Sequence, residues 1–381
     1  SMGDQAAGYG QRNTWSTLIS ERSDGRHPTF WCGLTMALIE LQELTFRYPG
    51  AAADTLTPVT LTVADGSAFA LLGASGAGKT TLLNLLSGLL QPTSGRILFN
   101  GEDVSTWAGR QRNVAQVFQF PVLYESMNVA DNLAFPLRAR KVHGSVIKER
   151  VEVIASELNI TDQLGHKASQ LSLFQKQLVA IGRALVRPDV SVVLVDEPLT
   201  AVEPKMKWRL RQTLRRVQDE LAVTMIYVTH DQTEALTFAD RVAVMGDGKV
   251  LQVDTPERVY NRPLHEFVGY FIGSPGMNFV PSEQLHPSLS LVPGTERVGF
   301  RPEWATLHAQ DSAHLNGRVT AQQLQGTDGG ALVGVQRLAT EAGDLAVRGN
   351  LQAQVGQTVG VRLEQYLCFS QQGQLLAVPH E

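Results

Sequence analysis

Cysteine is scarce in this sequence of 381 residues, with Cys32 and Cys368 its two examples. Two distant thiols cannot form the disulfide framework of a small secreted protein, so we expect a reducing, cytosolic setting. A basic excess is also absent, because 37 acidic residues outnumber 33 lysines and arginines and give a net charge of −4. Proteins that bind nucleic acid through its phosphates usually show such an excess, and we expect no nucleic-acid partner.

Long apolar runs are missing as well. None approaches the roughly 18 residues that a membrane-spanning helix requires, so a role at a membrane would depend on docking to another subunit. Hydrophobic residues still make up 43% of the chain, which is enough to form proper cores. The length suggests about two or three domains.

The first 36 residues lack the pattern of a folded domain. They are polar, glycine-rich and aperiodic, without the apolar stretch of a signal peptide. We expect residues 1–36 to be mobile, with the opening Ser-Met as a cleavage scar and Met36 as an alternative start of the folded chain. The other interpretation is an ordered extension that Trp15 and Trp31 anchor.

From residue 37 onward the pattern changes to strands separated by helices. The segment ALIELQELTFRY alternates apolar and polar residues, as a half-buried strand does. SAFALLG predicts a buried strand, KTTLLNLLSGLL a helix, GRILFNGEDV a strand with an Asn-Gly turn, and SVIKERVEVIASELNI an amphipathic helix. VSVVLVDEP and MIYVTHD predict further buried strands. This order favours an α/β fold with a largely parallel sheet covered on both faces.

The composition changes again after residue 272. Residues 273–381 contain no lysine, and short β-type runs (SLSLV, RVGFRP, ALVGVQRL and TVGVRLEQYLCFS) are separated by Gly, Asp and Asn turns. We therefore expect a small all-β domain, an OB-type barrel, at this end of the chain.

The segment GASGAGKTT matches the phosphate-loop pattern G-x-x-x-x-G-K-[ST] between a predicted strand and a predicted helix. Its glycines let successive N–H groups and the helix N-terminus point at phosphates. Lys79 would neutralise the β- and γ-phosphates, and Thr80 would offer its hydroxyl to Mg²⁺. The alternative is a glycine-rich turn without a ligand. The predicted ATP-binding residues of this loop are Gly73, Ser75, Gly76, Ala77, Gly78, Lys79, Thr80 and Thr81.

The run VVLVDEP is an apolar strand that ends in two carboxylates. Buried charge without a partner is costly, so both acids need one. Asp196 can be held in the coordination sphere of Mg²⁺, and Glu197 is placed to polarise the attacking water. The alternative is a strand end exposed at the surface.

From residue 39 to about residue 280 the chain resembles the ATPase subunit of an ATP-binding cassette importer, in the branch that serves sugars, polyols and glycerol phosphates. The resemblance also rests on FRYPG, VFQFPVLYESMNVADNLAFPL, VAIGRALVRPDVSVVLVDEPLT and YVTHDQTEALTFADRVAVMGDGK, in the family order. It implies a P-loop cassette domain at 37–272, with a helical subdomain at about 120–190. FIGSPGMNF and VGFRPE resemble the family's accessory domain, here at 273–381, for which inert scaffolding is an equally good interpretation.

The resemblance implies roles for three further residues. Tyr48 matches the aromatic that stacks on adenine, with an ordinary core or surface tyrosine as the alternative. Gln119 matches the glutamine that reaches Mg²⁺ and the attacking water, in a loop that responds to the membrane partner. His230 matches the switch histidine that contacts the γ-phosphate. The implied ligands are ATP and Mg²⁺, the latter held by Thr80, Gln119 and Asp196.

The run LSLFQ departs from the family's LSGGQ element. Ser172 and Gln175 match, but Leu173 and Phe174 replace two glycines. In the family each ATP lies between the phosphate loop of one cassette and this element of another, where a helix N-terminus approaches the γ-phosphate. A second departure is Glu203, where the family usually has Asp in the loop that crosses to the opposite site. Both departures alter the parts of this chain that would reach the nucleotide site of the opposite cassette.

These departures favour pairing with a different ATPase subunit, as in glycerol-type importers, over a homodimer that hydrolyses ATP at both sites. The other implied partners are transmembrane permease subunits at the cytoplasmic face of the membrane and, indirectly, a periplasmic or extracellular solute-binding protein. Two alternatives stay open. One is a nucleotide-binding regulatory subunit with little turnover; the other is a soluble cassette protein acting on ribosomes or DNA, which would normally carry a second fused cassette or a long coiled-coil insertion.

Overall fold

The computed structural model describes residues 37–309, 313–326, 332–349 and 353–378, and the expectations for residues 1–36 fall outside them. Within these ranges the strands are β1 (Ile39–Phe46), β2 (Leu56–Val63), β3 (Ala68–Gly73), β4 (Ser94–Phe99), β5 (Glu102–Asp103), β6 (Val114–Val117), β7 (Val192–Asp196), β8 (Met225–Thr229), β9 (Arg241–Gly246), β10 (Lys249–Asp254), β11 (Asn278–Pro281), β12 (Arg297–Phe300), β13 (Ala305–His308), β14 (Leu315–Gly326), β15 (Leu332–Thr340), β16 (Gly343–Gly349), β17 (Thr358–Leu363), β18 (Leu367–Phe369) and β19 (Leu375–Ala377). The α-helices are α1 (Lys79–Ser87), α2 (Val129–Ala139), α3 (Gly144–Glu157), α4 (Leu173–Leu185), α5 (Pro204–Leu221), α6 (Gln232–Phe238), α7 (Pro256–Asn261) and α8 (Glu266–Phe271).

A six-stranded sheet with the order β10-β9-β3-β8-β7-β6 forms the centre of the N-terminal part. All its neighbouring pairs are parallel except the edge pair β9 and β10. Strand β3 is buried along its whole length, as expected for a strand with cover on both faces. On one face, the antiparallel sheet β2-β1-β4-β5 and helix α1 share its core. The predicted α/β fold is confirmed.

Helices α2, α3 and α4 pack on the other side of this sheet, in one continuous core with α5 and α6. Their approach is close at Gly182 of α4, where an added Cβ would lie 2.6 Å from Leu133 Cδ2 and 3.0 Å from Leu158 Cδ1. In the part of the chain that the structure describes, no helix is both long enough and apolar enough to span a bilayer.

The C-terminal part is all β, as predicted. Two antiparallel sheets, β13-β17-β14-β15-β16 and β11-β12-β18-β19, share one core. The run RVGFRP contains strand β12, ALVGVQRL overlaps most of β15, and TVGVRLEQYLCFS contains β17 and β18. The strand predicted for SLSLV is wrong, because residues 288–292 form turns and irregular backbone. Its apolar residues Leu289, Leu291 and Val292 pack against the shared core without pairing to another strand.

Candidate nucleotide site

Three loops meet where the central strands β3, β7 and β8 end. Strand β8 lies between the other two, and the parallel register places Thr229 opposite Leu72 and Val228 opposite Asp196. The phosphate loop after β3, the acidic pair at the end of β7 and His230 after β8 therefore lie side by side. The carboxyl ends of parallel strands are where α/β proteins bind their ligands.

The phosphate loop has a backbone shape that depends on glycine. Gly76 and Gly78 have φ angles of 84° and 94°, in the left-handed region that a side chain disfavours. A Cβ on Gly78 would also lie 2.6 Å from Leu56 Cδ2. Ser75 is exposed in the loop, whereas Ala77 packs in the core. Helix α1 begins directly after Gly78 without a side-chain cap, which leaves its first N–H groups available to an anion.

Lys79 is buried in this loop and points its ammonium back along it. Its Nζ donates to the carbonyl oxygens of Gly73 at 2.7 Å and Ala74 at 3.0 Å. Burial lowers the pKa of Lys79, and the nearby carboxylates of Glu197 and Asp196 oppose that shift. The ammonium thus lies between the loop and the acidic pair, where a phosphate can replace its bonds to the carbonyls.

Tyr48 lies beside the first turn of α1. Its Oη is 3.2 Å from Oγ1 of Thr81, and its ring packs edge-on against Phe46 at 4.8 Å. Tyr48 is exposed, and so is Thr80 at the start of the same helix. The structure therefore places the partly exposed Tyr48 beside the helix that carries the phosphate loop.

The helix that carries the loop is anchored at its other end by a buried arginine. Arg112 is fully buried, and its guanidinium donates to the carbonyl oxygens of Leu85, Leu86, Ser105 and Trp107. These bonds hold the last turn of α1 against the segment after β5. The phosphate loop is therefore fixed by β3 on one side and by the anchored helix α1 on the other.

The two carboxylates of the acidic pair, Asp196 and Glu197, have different surroundings. Burial raises the pKa of Asp196, as does Glu197, while Lys79 lowers it. Glu197 has a φ of 44°, and its Oε1 lies 3.0 Å from His230 Nδ1 while its Oε2 accepts from Thr200 Oγ1 at 3.2 Å. The contact between Glu197 and His230 was not predicted, because the spacing along the chain carries no signal for it.

The predicted metal ligands offer oxygen atoms only. Strand β6 pairs in parallel with β7, with Val117 opposite Val195, so half-buried Gln119 lies beyond the same sheet edge as Asp196. The Asp196 carboxylate accepts no hydrogen bond from any residue that the structure describes. A half-buried carboxylate without a hydrogen-bond donor, beside hydroxyl and amide oxygens, fits a hard cation such as Mg²⁺. Among the described residues no three His, Cys, Asp or Glu side chains cluster as a self-sufficient cage, so phosphate oxygens would complete the ligand set.

The LSLFQ element begins helix α4, and its two family-like residues cap that helix. Gln175 N–H donates to Ser172 Oγ at 3.3 Å, while Ser172 N–H donates to Gln175 Oε1 at 2.9 Å, a reciprocal capping box. Leu173 is 40% exposed at the first helical position. Phe174 instead packs against the core and lines a cleft of about 1640 Å³ between α4 and α5. Glu203 precedes α5 and makes no side-chain cap.

A buried glutamate near His230, Glu234, was not predicted from the sequence. Oε2 of Glu234, in α6, accepts from Tyr227 Oη at 3.0 Å and from Thr229 Oγ1 at 2.8 Å. Its Oε1 lies 3.8 Å from Lys207 Nζ of α5. Burial raises the pKa of Glu234. In the sequence it is one glutamate in an amphipathic helix, and nothing there distinguishes it from an exposed one.

The sequence and the fold both match known proteins. A sequence model described as ABC transporter matches residues 56–200. The sn-glycerol-3-phosphate import ATP-binding protein UgpC 2 of Rhizobium johnstonii is 43% identical over 280 residues, which cover 73% of this chain and 80% of that protein. The trehalose import ATP-binding protein SugC of Mycobacterium tuberculosis is 40% identical over 300 residues, covering 74% of this chain and 75% of that protein.

Among solved structures, cbiO1 from Clostridium perfringens, part of the ABC transporter complex cbiONQ, superimposes with a TM-score of 0.55 at 28% identity. The match covers 59% of this chain and 90% of that one. Together with the phosphate loop beside the acidic pair and the histidine, these matches establish the family. The chain belongs to the ATP-binding subunits of ABC transporters, the P-loop ATPases that hydrolyse ATP to drive transport.

Proposed function

We propose that this subunit powers the import of a small polar solute, such as a sugar, a polyol or a glycerol phosphate, through a membrane permease. The support is the identity of 40% or more to proteins named for the import of glycerol 3-phosphate and of trehalose. The observation that carries its role as the working ATPase is the contact of 3.0 Å between Glu197 and His230, at the strand ends next to Lys79.

In this proposal the loop N–H groups and Lys79 bind the β- and γ-phosphates, and Tyr48 stacks on the adenine. Glu197 orients and polarises the attacking water, and His230 holds the Glu197 carboxylate and contacts the γ-phosphate. Mg²⁺, held by Thr80, Gln119 and Asp196, would neutralise charge on the phosphates. The groups assigned to the phosphates, the water and the metal follow strands β3, β6, β7 and β8, which end at one edge of the same sheet. Their common position supports the assignment.

We further propose the division of the chain into a cassette domain at 37–272, with a helical subdomain at about 120–190, and an accessory domain at 273–381. Separate cores support it. Two apolar clusters use residues up to Ile272, and two others begin at Met277.

The permease would dock beside Gln119, at the cytoplasmic face of the membrane. The support is a row of apolar side chains in the segment around Gln119, each between 41% and 65% exposed: Phe118, Phe120, Val122 and Tyr124. A hollow of about 280 Å³ lies next to them, between β6 and α4. Exposed apolar groups this close together are typical of a protein interface.

The second cassette of the transporter is, in this proposal, a different ATPase. The support is Leu173, whose exposed side chain at the first position of α4 occupies the place where the family presents a helix N-terminus to the partner's nucleotide. The site built from Lys79, Glu197 and His230 would work with a partner that carries LSGGQ. The reciprocal site, completed by Leu173, would be impaired.

Purification of the transporter with a tag on this chain tests the proposal. We expect the permease and a second, different cassette to be recovered with it, and the complex to hydrolyse ATP faster than this chain alone. Glu197→Gln in this chain should abolish turnover of the complex without loss of ATP binding. Recovery of this cassette alone with the permease, at full activity, would contradict the heterodimer.

A regulatory cassette with little turnover is the second candidate, and the altered LSLFQ element favours it. The same preparation separates the two. A complex that keeps its turnover when this chain carries Glu197→Gln would assign the activity to the partner and leave this chain a regulatory role.

A further inference from the structure

A fully buried arginine joins the accessory domain to the cassette. Arg301, directly after β12, is 0% exposed. Its guanidinium donates to the carbonyl oxygens of Tyr260, at the end of α7, and of Gly269 and Ile272, at the end of α8. A buried cation is costly unless its hydrogen bonds are satisfied. The accessory domain therefore cannot move away from residues 260–272 without leaving this charge unpaired.

The segment that Arg301 holds is also held from the cassette side, by Gln232. The Gly273 N–H donates to Gln232 Oε1 at 2.7 Å, and Gln232 Nε2 donates to the carbonyl oxygen of Phe271. Gln232 therefore binds the residues on both sides of Ile272, while Arg301 binds Ile272 itself. Residues 271–273 are fixed between these two side chains.

Gln232 is only two residues from the histidine of the nucleotide site. It is the first residue of α6, and strand β8 ends at Thr229, so His230 and Asp231 alone connect the two elements. Asp231 caps α6 through the N–H of Glu234 at 3.1 Å. Because the connection is so short, a displacement of the first turn of α6 must displace His230 and its contact with Glu197.

We propose that Gln232 and Arg301 are positioning residues for ATP hydrolysis, which tie the place of His230 to the docking of the accessory domain. The proposal rests on the role of His230 in the proposed function. It predicts that a partner or ligand which shifts the accessory domain changes the rate of hydrolysis without contact with the nucleotide.

A double-mutant cycle tests this connection. Gln232→Ala and Arg301→Lys, singly and together, are made in this chain of the purified transporter complex, and hydrolysis is followed in single turnovers with excess complex over labelled ATP. We expect each single variant to lower the rate constant about tenfold, with ATP affinity changed less than about twofold. Because both residues act through the same segment, Arg301→Lys should add little when Gln232→Ala is already present.

The matched control is Arg297→Gln. Arg297 is the first residue of β12, the strand that Arg301 directly follows, and it pairs with Glu266 of α8 at 2.7 Å. It therefore also joins the two domains, but it does not contact residues 271–273. It should leave hydrolysis unchanged. Equal losses for Arg297→Gln and Arg301→Lys, or single effects that multiply in the double variant, would overturn the proposal.

Hydrogen exchange gives a second readout, which does not require turnover and which compares two variants with a control. Gln232→Ala and Arg301→Lys should each speed amide exchange in residues 229–238, whereas Arg297→Gln should not. Wild-type exchange in both variants would overturn the proposal. His230→Ala separates the two claims: full activity in that variant refutes the proposed function, whereas its inactivity beside an active Gln232→Ala refutes only the positioning role.

Discussion

Replacement of Leu173 by glycine should raise the ATPase activity of this cassette when it is purified alone. Leu173 is the exposed residue at the start of α4, and Phe174 is turned toward the core. Removing Leu173 alone should therefore let a backbone N–H of α4 reach the partner's γ-phosphate. A hydrogen bond to a charged group contributes roughly 1.5–3 kcal/mol. If it forms fully in the transition state, the rate should rise about 10- to 150-fold.

The two positions should differ in their effect on stability. Complete burial of a phenylalanine contributes roughly 1.5–3 kcal/mol, and Phe174 is half-buried. Glycine in a helix costs a further ~1 kcal/mol, so Phe174→Gly should destabilise the cassette by about 2–2.5 kcal/mol and lower Tm by about 4–10 °C. Leu173→Gly loses little packing, and its Tm should fall by less than about 4 °C.

The assay is steady-state ATP hydrolysis at several protein concentrations, with melting of the same samples. Leu173→Ala should be intermediate, and Leu173→Gly combined with Glu197→Gln should be inactive. A correctly folded Leu173→Gly protein that is no faster than wild type would refute the assignment of Leu173 as the obstruction. Brisk hydrolysis by the unaltered protein alone would refute the argument for a different partner.

Three further outcomes are expected. Gly78→Ala should lower the Tm of the nucleotide-free protein more than Gly76→Ala, because both positions have positive φ but only the first would place a Cβ 2.6 Å from Leu56; equal shifts would contradict this. Arg112→Met removes the hydrogen bonds to the carbonyl oxygens of Leu86, Ser105 and Trp107 and should cost about 3 kcal/mol, or about 6–12 °C in Tm; a shift below about 2 °C would contradict the anchoring role. Burial raises the pKa of Glu234 from its ordinary 4.5, so the folded state binds this proton more tightly and stability decreases as pH rises above 4.5. Glu234→Gln should weaken that decrease in melts between pH 4 and 8, and an unchanged slope would contradict the shift.

The elements nearest the nucleotide were predictable because their signals are local. The run SAFALLG followed by GASGAGKTT predicts strand, loop and helix within about 20 residues, and β3 and α1 lie there. The Asn-Gly turn is likewise present, with Asn100 and Gly101 at φ angles of 51° and 79°. The failure at SLSLV has the opposite cause. The apolar residues Leu289, Leu291 and Val292 contact a core, which an irregular segment can do as well as a strand.

The contacts between distant segments depended on the tertiary structure. Residue type and spacing identify Lys79, Glu197 and His230, but the parallel register of β3, β8 and β7 is what brings them to one edge. Within LSLFQ the sequence shows that two glycines are replaced, and helix packing decides that Leu173 faces outward while Phe174 joins the core.

In the accessory domain, too, the secondary structure is predictable from the sequence, whereas the contacts depend on the tertiary structure. Composition and turn residues determine that residues after 272 form β structure, because strand propensity and chain reversal are short-range properties. No local pattern marks Arg301 as the residue whose hydrogen bonds end at Ile272, or Gln232 as the side chain on the other face of that segment. Those partners lie about 30 and 40 residues away along the chain, and only the tertiary structure brings them together.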